Sequence, residues 1–321
     1  MQQLRKLPRR TDVLIVGAGP AGLTLAVTLA ELGISHVIID SKPAAAPGTK
    51  AAAIQPRTLE YLDRIGVADT LIGDGLRGGG FAILDRDRPL MRMSYESVAS
   101  PFPFLLLIGQ QQTEVRLAER LEALGGHVHR SASLLGLHDD FPGTAATIVD
   151  ADGLVHAVTA RYIAGCDGVH STVRRLTGIE FPGDAPEALF ALADIVVDIP
   201  DGPEPDLDTT FSLSPHGMLI TSALPGNQLR VVAGELNTGQ SAHGAVHTVA
   251  ACDVAGGHRV HHSVGIDDRG CGTGEVVVQI QQRRRAVDVT AESFQSFGEP
   301  DLRLLLADEQ EERIRAGDGL V

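Results

Sequence analysis

Residues Thr11-Asp-Val-Leu-Ile-Val-Gly-Ala-Gly-Pro-Ala-Gly22 decide the fold. The first six form a short run of β-branched and aliphatic residues, as a buried parallel strand requires. Gly17, Gly19 and Gly22 follow, with Pro20 and Ala21 between the last two. Leu23, Ala26, Val27 and Ala30 then fall on one helical face, and Gly33 supplies a C-terminal stop. His36 to Asp40 reads as a second strand ending in a carboxylate. The unit is strand, glycine turn, helix, strand.

Each part has a physical job in holding a dinucleotide. Gly17 permits the tight turn, Gly19 lets the backbone approach a pyrophosphate, and Gly22 lets helix and strand pack closely. The helix N-terminus offers free N–H groups and the positive end of a dipole to the phosphates. Asp40 lies eighteen residues after Gly22 (40 − 22), where a strand end delivers a carboxylate to ribose hydroxyls. A glycine-rich structural turn is the alternative, and NAD and FAD both use such a unit.

Composition narrows the partners. A chain of 321 residues with 43% hydrophobic and 21% charged residues has enough apolar material for one large domain or two modest ones. Its net charge of −14 argues against nucleic acid and anionic membrane surfaces. With 4% aromatic residues and no Trp, base-stacking platforms are not expected. Cys166, Cys252 and Cys271 form no disulfide framework, which suits a reducing compartment. Met1 to Arg10 lacks the form of a signal peptide, and glycines with Pro20 interrupt the apolar span Val13 to Ile34. The expectation is a soluble cytoplasmic protein.

Three further segments arrive in order: Lys50-Ala-Ala-Ala-Ile-Gln-Pro-Arg-Thr-Leu-Glu60, Gly109-Gln-Gln-Gln-Thr-Glu114, and Tyr162-Ile-Ala-Gly-Cys-Asp-Gly-Val-His-Ser-Thr-Val-Arg174. The second opens a helix with Leu117, Leu121 and Leu124 on one face and Gly125-Gly126 at its end. With the N-terminal unit, these motifs resemble the class A flavoprotein aromatic hydroxylases over residues 11 to 235. The resemblance implies FAD as cofactor, NAD(P)H as co-substrate, and an atom of O2 placed on an aromatic or phenolic small molecule through a flavin C4a-hydroperoxide. It implies an α/β fold in which a Rossmann-like FAD-binding domain is interleaved with a mostly antiparallel β-sheet substrate domain.

Site residues follow from the same resemblance. Gly17, Gly19, Pro20, Ala21 and Gly22 form the pyrophosphate turn, and Asp40 binds the ribose. Lys50 stands near a flavin-side arginine of the family, keeping its charge but not its bidentate geometry. Gln110 contacts FAD, Asp167 and Gly168 form an Asp-Gly motif for FAD and pyridine nucleotide, and Arg174 closes that motif. Read without the family, Arg161 to Ala164 is a strand, Gly165 and Gly168 make a turn, and Ser171 caps a helix. Arg57 reads equally as a first-turn surface residue or a cofactor contact. Tyr95 and His216 are chemically capable of acid–base work but read first as ordinary sheet or surface residues. No catalytic side chain and no metal site is assigned.

The FAD-binding domain is expected over 1–75 and 105–180, and the substrate domain over 76–104 and 181–236. Ala188 to Val197 and Gln228 to Gly234 read as strands of the latter. The family's second flavin motif, Gly-Asp followed by Ala and His, is not found, and Ala316-Gly-Asp-Gly-Leu320 is read as coincidence. Residues 237–321 are expected to be atypical and unrelated to the family. His243, His247, His258, His261 and His262 lie there without a convincing strand or helix to set ligand geometry, and Asp301 to Arg315 reads as a charged helix. An inactive FAD-binding remnant and another flavin- or nicotinamide-dependent oxidoreductase are the alternative functions.

Overall fold

The computed structural model describes residues 6–45, 51–86, 88–140, 142–183, 190–197, 209–215, 217–235, 250–254, 258–265, 275–282, 289–296 and 304–305. In chain order the first elements are β1 (Arg10–Val16), α1 (Pro20–Glu31), β2 (His36–Asp40), β3 (Ala53–Ile54), α2 (Pro56–Arg64) and α3 (Ala68–Asp74). Then come β4 (Leu76–Gly78), β5 (Gly80–Asp85), β6 (Arg88–Ser94), β7 (Leu105–Leu107), α4 (Gln110–Ala123), β8 (Val128–Arg130) and β9 (Ser133–Asp140). β10 (Gly143–Val149), β11 (Val155–Gly165), α5 (Thr172–Thr177), β12 (Phe190–Val197), β13 (Thr209–Ser214), β14 (Gly217–Leu224) and β15 (Gln228–Glu235) follow. The last are β16 (Ala250–Val254), β17 (His258–Gly265), β18 (Glu275–Gln282), β19 (Val289–Ser296) and β20 (Leu304–Leu305). None of the described helices is long and apolar enough to cross a membrane.

The chain divides into two compact units. The first comprises Met1–Ala53, Arg57–Asp74 and Ile108–Asp184. Its six-stranded sheet has the order β8-β2-β1-β11-β10-β9. β8, β2, β1 and β11 run parallel, and β10 and β9 continue antiparallel. The apolar run of β1 follows from this position, because a central parallel strand needs cover on both faces. Leu14, Val16, Val37, Ile39, Ile148 and Val158 share one core cluster.

Helix α1 buries Leu23, Ala26, Val27 and Leu29. Ala30, expected on that face, is only partly buried, and Leu29 takes its place. Gly33 (φ +67°) ends the helix: its N–H donates to Ala30 O, and the Ile34 N–H donates to Leu29 O. That pair of bonds is a Schellman motif, which needs a residue at ease in the left-handed region. α4 ends the same way, with Gly125 (φ +84°) donating to Glu122 O and Gly126 to Leu121 O.

The second unit comprises Ile54–Pro56, Gly75–Leu107 and Ala185–Val321. Its largest sheet has the order β19-β12-β15-β14-β13-β5-β6, antiparallel at every pairing except β13 with β5. One face buries Ala193, Ile195, Leu219, Ala223, Leu229 and Val231. The other carries a polar row. Asp194 stands opposite Arg230, Arg230 stands opposite Ser222, and the Ser222 and Thr209 hydroxyls share a hydrogen bond of 2.9 Å. Arg230 is 3% exposed and donates from Nε and Nη2 to the two Asp194 oxygens, both at 2.7 Å.

Two expectations for the C-terminal stretch need correction. The histidine-bearing stretch was expected to lack a regular element, yet His258, His261 and His262 lie on β17, which pairs antiparallel with β16 and β18. Leu304 and Leu305, expected within a charged helix, form β20 and pair parallel with Val276 and Val277. The valine run of β18 offers an open ladder to the leucines, and that non-local pairing overrides helical propensity.

Candidate functional site

Gly17 to Gly22, Asp40, Asp167 and Gly168 gather at the C-terminal ends of β1, β2 and β11, where open parallel sheets place ligands. Gly17 has φ +101°, and a Cβ there would lie 2.3 Å from Cys166 O. A Cβ on Gly22 would lie 1.9 Å from Gly17 O. Packing alone therefore demands both glycines. Gly19 differs: it caps α1 at φ −76° and ψ −176°, and a Cβ there would meet nothing within 4 Å.

Pro20 takes the first helical position, where its missing N–H is no loss. The amides of Ala21 and Gly22 come next and have no protein acceptor among the described residues; the first bonded amide is that of Leu23, to Gly19 O at 2.9 Å.

Asp40 ends β2. Its Oδ2 accepts the Ala18 N–H at 2.7 Å, and its Oδ1 accepts the Lys42 N–H at 2.8 Å. The carboxylate thus braces the glycine turn while each oxygen keeps a lone pair for another donor. Arg130 approaches from β8, with Nη1 3.8 Å from Asp40 Oδ2. Arg130 carries no local sequence signal, because only the pairing of β2 with β8 sets it opposite Asp40.

The Asp-Gly segment abuts the glycine turn, since the Cys166 N–H donates to Val16 O at 2.7 Å. Asp167 Oδ2 accepts the N–H groups of Thr172 (2.6 Å) and Val173 (3.2 Å), satisfying the start of α5. Its Oδ1 is buried without a hydrogen-bond partner among the described residues. Gly168 has φ +81°, and Ser171 caps α5 by accepting the Arg174 N–H at 3.0 Å, as the capping pattern predicts. Arg174 Nη2 donates to Val169 O at 2.6 Å. Burial, with a smaller push from the Asp167 charge, raises the Cys166 thiol and keeps it protonated.

Other candidates are placed differently. Gln110 opens α4, and its Nε2 donates to Glu114 Oε1 at 2.8 Å, while its backbone N–H reaches Ala51 O at 3.1 Å. Arg57 pairs with Glu60 and lies over the Tyr61 ring at 4.8 Å, contacts that stay within α2. In the second unit the Tyr95 hydroxyl donates to Gln55 Oε1 at 2.9 Å. Lys50 and His216 lie outside the described residues.

The sequence profile of the FAD-binding-domain family matches residues 10–252. The chain belongs to that family, the one that includes the class A flavoprotein hydroxylases. The chain is 30% identical over 229 residues to an uncharacterized aromatic compound monooxygenase of Bacillus subtilis, an alignment covering 71% of this chain and 44% of the relative. It is 31% identical over 227 residues to pentachlorophenol 4-monooxygenase of Sphingobium chlorophenolicum, covering 70% and 42%. The chain therefore spans less than half the length of these curated relatives. A crystal structure of the flavin-dependent monooxygenase PieE with FAD and substrate shares the fold at TM-score 0.66 and 19% identity, covering 92% of this chain and 52% of that one.

FAD, the cofactor of the family, fits the residues present. The unbonded Ala21 and Gly22 amides, the open space before Gly19 and the buried, partnerless Asp167 Oδ1 are the features that such a ligand would satisfy. A diphosphate would use the first two, and a ligand hydroxyl would use the third.

Proposed function

We propose that this chain forms the cofactor- and substrate-binding part of an FAD-dependent monooxygenase that hydroxylates an aromatic or phenolic small molecule, with NAD(P)H and O2 as co-substrates. The observation that carries the reading is the convergence of the glycine turn, Asp40 and the orphaned Asp167 Oδ1 at one end of one sheet. The names of relatives near 30% identity supply the reaction class.

In this reading Gly17 to Gly22 carries the pyrophosphate, with the Ala21 and Gly22 amides as donors. Asp40 takes the ribose hydroxyls, and Asp167 Oδ1, followed by Gly168, accepts from a hydroxyl of the chain leading to the flavin. Lys50 and Gln110 serve the flavin side. Bound flavin would supply the redox chemistry, taking electrons from NAD(P)H and activating O2. The sheet of the second unit would hold the substrate, as the resemblance to the aromatic hydroxylases implies.

The test is expression of the full chain, identification of any bound flavin by absorbance and chromatography, and a screen of NADH and NADPH oxidation against phenols. FAD retention with phenol-dependent oxidation and a hydroxylated product is the expected result. Bound FAD without turnover would favour a binding remnant. Binding of NADH by a flavin-free protein would point to a nicotinamide dehydrogenase.

A further inference from the structure

We infer that Arg130 is the specificity residue for the adenosine end of the dinucleotide, presenting a guanidinium with uncommitted donors where the adenine leaves the ribose. The inference rests on the FAD reading above and adds a residue to it.

Topology fixes the place. In the order β8-β2-β1, with all three strands parallel, the glycine turn follows β1, Asp40 ends β2 and Arg130 ends β8, directly opposite Asp40. A dinucleotide whose pyrophosphate sits at the start of α1 and whose ribose sits at Asp40 runs outward across the sheet. The next group outward, the base, meets the end of β8.

The side chain there is held yet available. Arg130 is 23% exposed, and its Nη1 stands 3.8 Å from Asp40 Oδ2, an ion pair too long to be a hydrogen bond. None of its guanidinium N–H groups has a hydrogen-bond acceptor among the described residues, and the bonds to Asp40 come instead from the Ala18 and Lys42 amides. The backbone on its C-terminal side is pinned over β2, with the Ser131 N–H on Lys42 O at 3.1 Å and the Ala132 N–H on Asp40 O at 2.9 Å. Ser131 takes φ +54°, so the strand turns sharply just after Arg130. A planar cation so anchored can cover a purine face and donate to base or ribose acceptors, which a lysine ammonium does less well.

The competing role is a brace for Asp40 alone. The two roles differ in which ligands they affect. A brace supports every ligand of the turn and the stability of the fold, whereas an adenosine contact affects only ligands that carry adenosine.

The experiment compares wild type, Arg130→Met and Arg130→Lys as full chains, measuring dissociation constants for FAD, ADP and FMN and the thermal midpoint. Met preserves the apolar stem. The expected result is FAD and ADP binding weakened about tenfold in Arg130→Met, partial recovery in Arg130→Lys, and unchanged FMN binding and midpoint. FAD and ADP affinities within about twofold of wild type would overturn the inference, as would a joint fall of all ligands with the midpoint. A wild-type chain that binds neither FAD nor ADP would overturn the FAD reading and this inference together. Tight FAD binding indifferent to Arg130 would overturn this inference alone.

Discussion

The glycine turn of the first unit and the polar row of the second are both built around a partly buried carboxylate, and they are stabilised in opposite ways. At the turn, Asp40 accepts backbone amides from Ala18, at the turn itself, and Lys42, two residues on, so its partners belong to the βαβ unit. In the row, Asp194 accepts from a guanidinium 36 residues away that reaches it only across the pairing of β12 with β15. A motif whose polar groups are satisfied within its own unit can be recognised from spacing. A motif satisfied across a sheet cannot, because neither residue is unusual until the strands pair.

The largest expected effect would break the row. Asp194 keeps 21% side-chain exposure while Arg230 keeps 4%, so the two partners are not equivalent. Asp194→Leu strands a buried cation and should lower stability by about 3–5 kcal/mol. Arg230→Met leaves a carboxylate with some access to water and should cost less. The double replacement should recover most of the loss. Urea unfolding of the three variants checks this, and equal losses for both single variants would contradict the asymmetry.

A smaller effect separates the glycines of the turn. Gly22→Ala drives a methyl into the Gly17 carbonyl and should cost about 1–3 kcal/mol. Gly19→Ala meets no protein atom within 4 Å, so its thermal midpoint should stay at the wild-type value while FAD affinity falls. Calorimetry for stability and flavin fluorescence for affinity read the two separately. A Gly19→Ala protein that binds FAD normally would remove Gly19 from the site.

The smallest effect is a pH dependence in the first unit. Burial first, then the nearby His127 and His156 charges, pushes His129 on β8 down to about 4. The unfolded chain takes up this proton near pH 6.5 and the folded one only near 4, so stability is lost as pH falls between those values. His129 is half-buried, so the loss should be on the order of 1–2 kcal/mol after solvent screening. His129→Gln should flatten the fall in thermal midpoint between pH 6.5 and 4, and an unchanged slope would count against the assignment.

Much of the first unit is legible in the sequence. The strand at Thr11 to Val16, the helix that carries Leu23, Ala26 and Val27, its stop at Gly33, the carboxylate at Asp40 and the Ser171 cap all follow from short-range demands on φ, hydrogen bonding and apolar spacing. The second unit was less so: the strands at Phe190–Val197 and Gln228–Glu235 matched their apolar runs, but β13 and β14 were not foreseen individually.

By itself, then, the sequence determined a βαβ dinucleotide unit with Gly17, Gly22 and Asp40 at its turn, because those constraints act over a few residues or along one strand. Only the tertiary structure decided that Gly19 alone among the three faces open space, that Asp167 spends one oxygen on α5 and leaves the other unpaired, and that Arg130 stands beside Asp40. Each of those facts depends on which strand lies beside which, and that is set by burying the whole core rather than by any local run of residues.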